Sequence, residues 1–262
     1  MNGFVPFRGE IRKNLQIMWS YRVKALLDTF GFALMYIAAM FLLGGGSFDR
    51  ELLQPALIGF LTSFYILETL SQMDKDITMR AQTGTLEQMY LGIASPVWLL
   101  IALILSIQLK STFVVCIMGA VLALLFGIDL SFIKPAGILL LLITLIGVFG
   151  FGFFIAGMTV IYKQIGALTN ILFNLILFLN GTFLPVEAMP DWMKAVSLLL
   201  PTTQGIRVMR QVLLDGVSLG DALQDGGLTF LILHSVLYLF LGIGFYLFAQ
   251  SKARHEGSLG HY

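Results

Sequence analysis

Residues 136–160 read AGILLLLITLIGVFGFGFFIAGMTV, a run without a single charged side chain. About 20 apolar residues in helical form cross the hydrocarbon core of a bilayer, and this run is longer than that. It belongs to a chain of 262 residues that is 58% hydrophobic and 12% charged, with a mean hydropathy of +0.88. Soluble domains carry roughly 25% charged residues. One water-soluble core cannot absorb so much apolar surface while leaving so little polar surface for water. The composition therefore excludes a soluble enzyme, and its hydrophobicity excludes intrinsic disorder. A net charge of +1 supplies no basic field for nucleic acid. The single cysteine, Cys116, leaves the redox compartment unread.

Working outward, five further apolar runs are found at about 25–45, 55–72, 104–127, 167–184 and 228–250. The sequence predicts an all-α integral membrane protein with six transmembrane helices. The longest intervening segments, 73–96 and 185–227, are too short for an independent domain, so residues 25–262 are expected to form one six-helix transmembrane domain. Residues 1–24 mix charges among apolar side chains and lack a signal-peptide cleavage pattern. Phe7, Ile11, Leu15 and Met18 recur at helical spacing, with Arg8, Arg12 and Lys13 off that stripe and Trp19 and Tyr21 suited to the headgroup level. This predicts an N-terminal amphipathic interfacial helix; a simple charged leader is the alternative.

Basic residues orient the spans. With the N-terminus inside, the inner segments carry Arg8, Arg12, Lys13, Arg22, Lys24, Lys75, Arg80, Lys163, Lys252 and Arg254. The outer ones carry only Arg50, Lys134, Lys194, Arg207 and Arg210. Both termini are expected in the cytoplasm of a multi-pass protein.

Two connections carry more than a turn. The inner one, MDKDITMRAQTGTLEQMYLGIASP (73–96), begins as an extension of the second span and breaks at Thr83-Gly84-Thr85. Thr85 can cap a short helix, with Leu86, Met89 and Tyr90 on one side and Glu87 on the other, stopped by Ser95-Pro96. Such a helix can dock into a partner's groove or lie on the bilayer surface. The outer connection, GTFLPVEAMPDWMKAVSLLLPTTQGIRVMRQVLLDG (181–216), is apolar but broken by Pro185, Pro190 and Pro201. It predicts two short helices, about 191–199 and 203–214, forming a re-entrant cap over the outer mouth.

Few polar groups lie within the spans. Asp28 follows Lys24 by one helical turn, so a local pair is available. Glu68 and Lys110 sit at similar depth on neighbouring spans and are expected to pair; snorkelling of each to the interface is the alternative. Asn170 and Asn174 share one face of the fifth span; with Asn180 and Phe183 they are candidates for a substrate path, while interhelical hydrogen bonding is the competing role. Gly147, Gly150, Gly152 and Gly157 permit close helix approach, Gly152 and Ala156 forming a small-xxx-small pair. Ser47 and His234 are the one serine–histidine pair worth weighing for catalysis, but Ser47 follows three glycines in an outer loop, and a histidine making one interhelical hydrogen bond is the commoner case. His234, His255 and His261 form no metal-ligand pattern, and there is no Gly-x4-Gly-Lys-Ser/Thr phosphate loop.

The order of these features resembles the membrane-spanning permease subunits of type-2 ABC exporters, the drug and polysaccharide exporter permeases. Gly84-Thr85-Leu86-Glu87-Gln88-Met89 followed by Ser95-Pro96 resembles that family's coupling segment. Leu184-Pro185, Pro190-x-Trp192, Leu200-Pro201 and Arg210-x3-Leu214-x-Gly216 resemble its outer signature. The resemblance implies that the 83–95 helix is a cytoplasmic coupling helix, seated in a separate ATPase through Gly84, Thr85, Leu86, Glu87, Met89 and Tyr90. It implies two ABC ATPase subunits as partners, a second permease copy forming a homodimer in the cell (inner) membrane, and a substrate such as a drug, lipid or lipid-linked glycan. No cofactor is expected in this chain, because ATP and Mg would be bound by the ATPase. A secondary active transporter is the main rival; such proteins show broken helices in matching halves, whereas only the segment before the last span is broken here. An intramembrane enzyme is the weaker one.

Overall fold

The computed structural model describes residues 22–92, 95–130 and 134–255, together with Gly9, Arg12, Gln16 and Ser20. The expected interfacial stripe of Phe7, Ile11, Leu15 and Met18 lies outside the described residues, as do His261 and the Lys24 side chain. Every regular element among the described residues is helical. In chain order they are α1 (Arg22–Leu43), α2 (Arg50–Gln82), α3 (Thr85–Leu91), α4 (Pro96–Phe126), α5 (Pro135–Tyr162), α6 (Gly166–Leu179), α7 (Asp191–Leu199), α8 (Thr203–Leu213), α9 (Leu219–Gln224) and α10 (Gly227–His255).

Local chemistry sets the ends of these helices. Asp49 caps α2, its carboxylate accepting from Glu51 N at 3.0 Å. Pro96 and Pro135 open α4 and α5, where a missing N–H costs nothing because that donor has no helical partner. Gly127, at φ 62°, ends α4 in the left-handed conformation that only glycine adopts readily. Ser218 starts α9 by accepting from Asp221 N at 3.1 Å, a short helix that the sequence reading does not contain.

Among the described residues, five helices are long and apolar enough to cross a membrane: Leu26–Leu43, Glu51–Gln82, Pro96–Phe126, Pro135–Tyr162 and Gly227–His255. The fifth run expected from sequence, 167–184, is different. Its helix α6 has 14 residues, ~21 Å at 1.5 Å per residue, and ends at Leu179. The stop has a physical cause. Asn180 turns its amide to the side of α2, and Gly181 takes φ 82°, so the helix ends five residues before the apolar run is over.

α2 is the centre of the bundle. Of its apolar window 72% is buried, against 11% for that of α1. Leu57, Phe60, Ile66, Leu67, Leu70, Met73 and Ile77 on α2 are almost fully enclosed. α1, α2 and α4 share one core cluster around Tyr36, Phe60 and Met118. The outward faces of α1, α4 and α10 are greasy, with Leu42, Leu124 and Phe240 largely exposed, as lipid-facing residues must be.

α5 and α10 pack against each other along their length. Their backbones touch at Gly150 and Gly242, where a Cβ on either residue would collide with the other helix's main chain. Gly157 lies against Tyr246 Cα and the Phe245 ring, and Gly147 against Ser235. The Gly152–Ala156 pair faces elsewhere: Gly152 meets Thr69 of α2 and Ile104 of α4. This fixes two poles. α3 lies at the pole formed by the C-terminal ends of α2 and α10; α7, α8 and α9 lie at the opposite one.

Candidate functional site

The α3 pole is built from three side chains. Leu86 and Met89 are 3% and 6% exposed, sunk into the same core as Ile77, Ala81, Leu100 and Leu103. Tyr90 is half-buried, and its hydroxyl shares a hydrogen bond of 3.1 Å with that of Tyr246 on α10. Arg254, two turns further along α10, stacks over the Tyr90 ring with Cζ 5.4 Å from its centroid. Burial pushes the Tyr90 phenol above its ordinary range; the Tyr246 hydrogen bond and the Arg254 charge oppose this. Tyr90 therefore stays neutral at physiological pH and can donate as well as accept.

These positions correct the sequence reading. Leu86, Met89 and Tyr90 were expected to face a partner, but they hold α3 to its own bundle. Seven residues make two turns, and the apolar stripe is needed to anchor so short a helix, which would not persist alone. The exposed face consists of Thr85, Glu87, Gln88 and Leu91, the last 86% exposed. Thr85 is also reassigned. Gly84, at φ 70°, takes the cap position without a side-chain bond. The Thr85 hydroxyl lies 2.9 Å from that of Thr83 and 3.3 Å from Arg80 O, so it serves the end of α2. The left-handed Gly84 lets the chain turn sharply from α2 into α3.

Next to this pole, Asp74 is buried where α2, α5 and α6 meet. Thr169 Oγ1 donates to its Oδ2 at 3.2 Å, and the Thr159 and Thr78 hydroxyls reach its Oδ1 at 3.4 and 3.5 Å. Thr78 also approaches Lys163 O at 3.4 Å, where Lys163 adopts φ 61° between α5 and α6. In sequence Asp74 is one charge of the polar extension of α2. Its partners lie 85 and 95 residues away, and only the threonines at matching depth in two apolar helices hint at them.

Glu68 and Lys110 meet: Lys110 Nζ lies 2.6 Å from Glu68 Oε1, which also accepts from Gln72 Nε2 at 3.0 Å. Both are half-buried, with side chains 18% and 25% exposed.

At the opposite pole a polar knot ties the chain after α6 to α2. Asn180 Nδ2 donates to Ser63 Oγ at 2.6 Å, Ser63 Oγ lies 2.6 Å from Thr182 Oγ1, and Thr182 N donates to Asn180 Oδ1 at 3.1 Å. All three residues are fully buried. Arg210 of α8 enters the same knot. Its Nε donates to Pro55 O at 2.9 Å and one Nη to Thr182 O at 2.8 Å. Gly59 makes room, since a Cβ there would stand 2.8 Å from Arg210 and 2.9 Å from Thr182. Burial lowers the guanidinium to about 10, with Glu187 opposing, so it remains charged at neutral pH.

Asn180, a candidate for the substrate path, is thus a structural residue: each end of its amide is engaged by Ser63 or Thr182. Phe183 is half-buried, its ring tilted against Phe60 with centroids 6.2 Å apart. Asn170 and Asn174 face out of the chain, with Asn174 Nδ2 donating to Asn170 O at 2.9 Å, and among the described residues they bond no other helix. Pro185, Pro190 and Trp192 are exposed, Trp192 at 68%, whereas Pro201 packs on Gly147. The Tyr238 hydroxyl donates to Leu199 O, and Gln204 Nε2 to Gly227 O at 3.1 Å, joining the α7–α8 segment to α10. His234 stacks on Phe230 and meets Tyr238 edge-on, and Ser47 donates to Gly44 O in the α1–α2 turn, so the two share no contact.

The sequence matches the family model of ABC-2 type transporters over residues 7–214. The chain belongs to the ABC-2 type transporter family. It is a permease of an ABC transporter, a multi-pass membrane protein whose family is the transport component of such systems and not the ATPase. The matched region contains α3, the Asn180 knot and all of α8, and stops short of α9 and α10. No curated protein gives a significant match.

Proposed function

We propose that this permease belongs to an ATP-driven exporter, pairs with a second copy of itself to form the translocation path, and takes its drive from two separate ATPase subunits through α3. The observation that carries this reading is the division of α3 into two faces. Leu86, Met89 and Tyr90 fix it to the bundle, and Glu87, Gln88 and Leu91 remain outside. A short helix held this way offers a partner an apolar knob in Leu91 beside an acid, and passes any push to the long helices through packed contacts.

On this reading the α3 pole faces the cytoplasm of a cell with the permease in its inner membrane, both termini lie on that side, and α6 with the segment that follows completes a sixth crossing. The α7–α8 pair is then a re-entrant cap at the outer mouth. The outward-facing Asn170 and Asn174 on α6 are available to the second copy or to substrate, for which drugs, lipids and lipid-linked glycans remain the candidate classes. ATP and Mg bind the partner.

The test is co-purification. Leu91→Asp with Glu87→Lys is expected to release the ATPase while leaving the thermal unfolding of the permease unchanged. Substrate-stimulated ATP hydrolysis by the reconstituted complex should fall with it. A permease that transports along an ion gradient with no ATPase bound would overturn the reading.

A further inference from the structure

A cavity of about 230 Å³ opens between α1, α2, α4 and α6. Its polar side carries Glu68 and Lys75 on α2, Lys110 on α4 and Asp28 on α1. Its apolar side is aromatic, with Phe32, Phe64 and Phe173. Glu68 and Lys75 are seven residues apart, so they share a helix face about 10 Å apart along the axis. Glu68 lies at the edge of the apolar part of α2 and Lys75 lies beyond it. The cavity thus straddles the boundary between hydrocarbon and headgroup levels, in the half of the bundle nearer α3.

The pairing inside it is incomplete. Lys110 uses one N–H on Glu68 Oε1, and among the described residues nothing donates to Glu68 Oε2. Lys75 makes no hydrogen bond or ion pair among the described residues. Among the described residues, two ammonium groups and two carboxylates line one small space. A site for an anionic lipid would concentrate cations alone; this one offers both signs.

From this we infer a binding site for a zwitterionic phospholipid whose head joins a primary ammonium to a phosphate, as in phosphatidylethanolamine. The phosphate sits between Lys75 and Lys110, the ammonium donates to Glu68 and Asp28, and an acyl chain lies along Phe32 and Phe173. A trimethylated head fits less well, because it has no N–H to donate to the carboxylates. The inference takes only the membrane location from the family and is independent of the ATPase and of the transported substrate.

The experiment uses the full chain in detergent, titrated with phosphatidylethanolamine, phosphatidylcholine, phosphatidylglycerol and soluble glycerophosphoethanolamine, and read by native mass spectrometry and thermal unfolding. Phosphatidylethanolamine is expected to bind at least about fivefold more tightly than either other lipid, and to raise the unfolding midpoint. Lys75→Ala and Asp28→Asn should each remove that preference. Both residues are exposed, so their replacement leaves the packing intact. Equal binding of phosphatidylglycerol, an unchanged preference in both variants, or glycerophosphoethanolamine binding as tightly as the lipid would overturn the proposal. Loss of the preference with substrate-stimulated ATPase activity retained separates this site from the transport reading.

Discussion

At the scale of single residues, the polar groups inside the bundle are structural fasteners, each with a measurable strength. Lys110→Met leaves Glu68 half-buried without its cation. Loss of one partner from a fully buried pair costs about 3–5 kcal/mol, and partial exposure here reduces that to roughly 1–3 kcal/mol. Adding Glu68→Gln removes the stranded charge, so the double variant should unfold at a higher temperature than Lys110→Met alone; independent, additive losses would contradict the pair. Asp74→Asn replaces one of two acceptor oxygens by a donor facing threonine hydroxyls, and a loss on the order of 1 kcal/mol is expected in the same assay. The Glu68–Lys110 contact was legible in sequence because two rare charges stood at equal depth. Asp74 was not, because one acid among the charges of 73–82 carries no sign that the helix end will be buried by two others.

Helices extend the argument to packing. Gly242→Leu forces a branched side chain into the Gly150 main chain, and overpacking of this kind costs typically 1–3 kcal/mol or more, so folded yield should drop sharply. Gly244→Leu on the same helix meets open space and is the matched control, expected to be neutral. For α3, Leu86→Ala should cost about 2–5 kcal/mol as a core truncation, whereas Leu91→Ala should leave stability unchanged and act only on partner binding. The sequence reading divided the faces of α3 as the structure has them, but set the apolar one against a partner. A two-turn amphipathic helix shows which side is apolar, and not whether that side meets its own bundle or another chain. α6 was over-extended for a related reason. Apolar composition continues to Leu184, and only the Asn180-Gly181 turn chemistry marks the stop.

For the whole molecule, the two poles predict a labelling pattern. With Cys116 replaced by serine, Glu87→Cys and Trp192→Cys should react with a membrane-impermeant maleimide from opposite sides of the bilayer; labelling of both from one side would refute the arrangement. Most of the architecture follows from runs of apolar length, which is why the five long helices were readable. Contacts between helices far apart in the chain, such as Tyr90 with Tyr246, depend on three-dimensional neighbours that a single sequence does not specify. One such neighbour has a mechanical meaning. α10 is gripped at Tyr246 by the α3 phenol, pinned at Gly242 to α5 with no side chain between, and bonded at Tyr238 to the end of α7. These grips follow one another over eight residues, about 12 Å of a single rod. A helix held at three close points has little room to bend or slip, so on the proposed reading a push at α3 would reach the α7 segment with little loss.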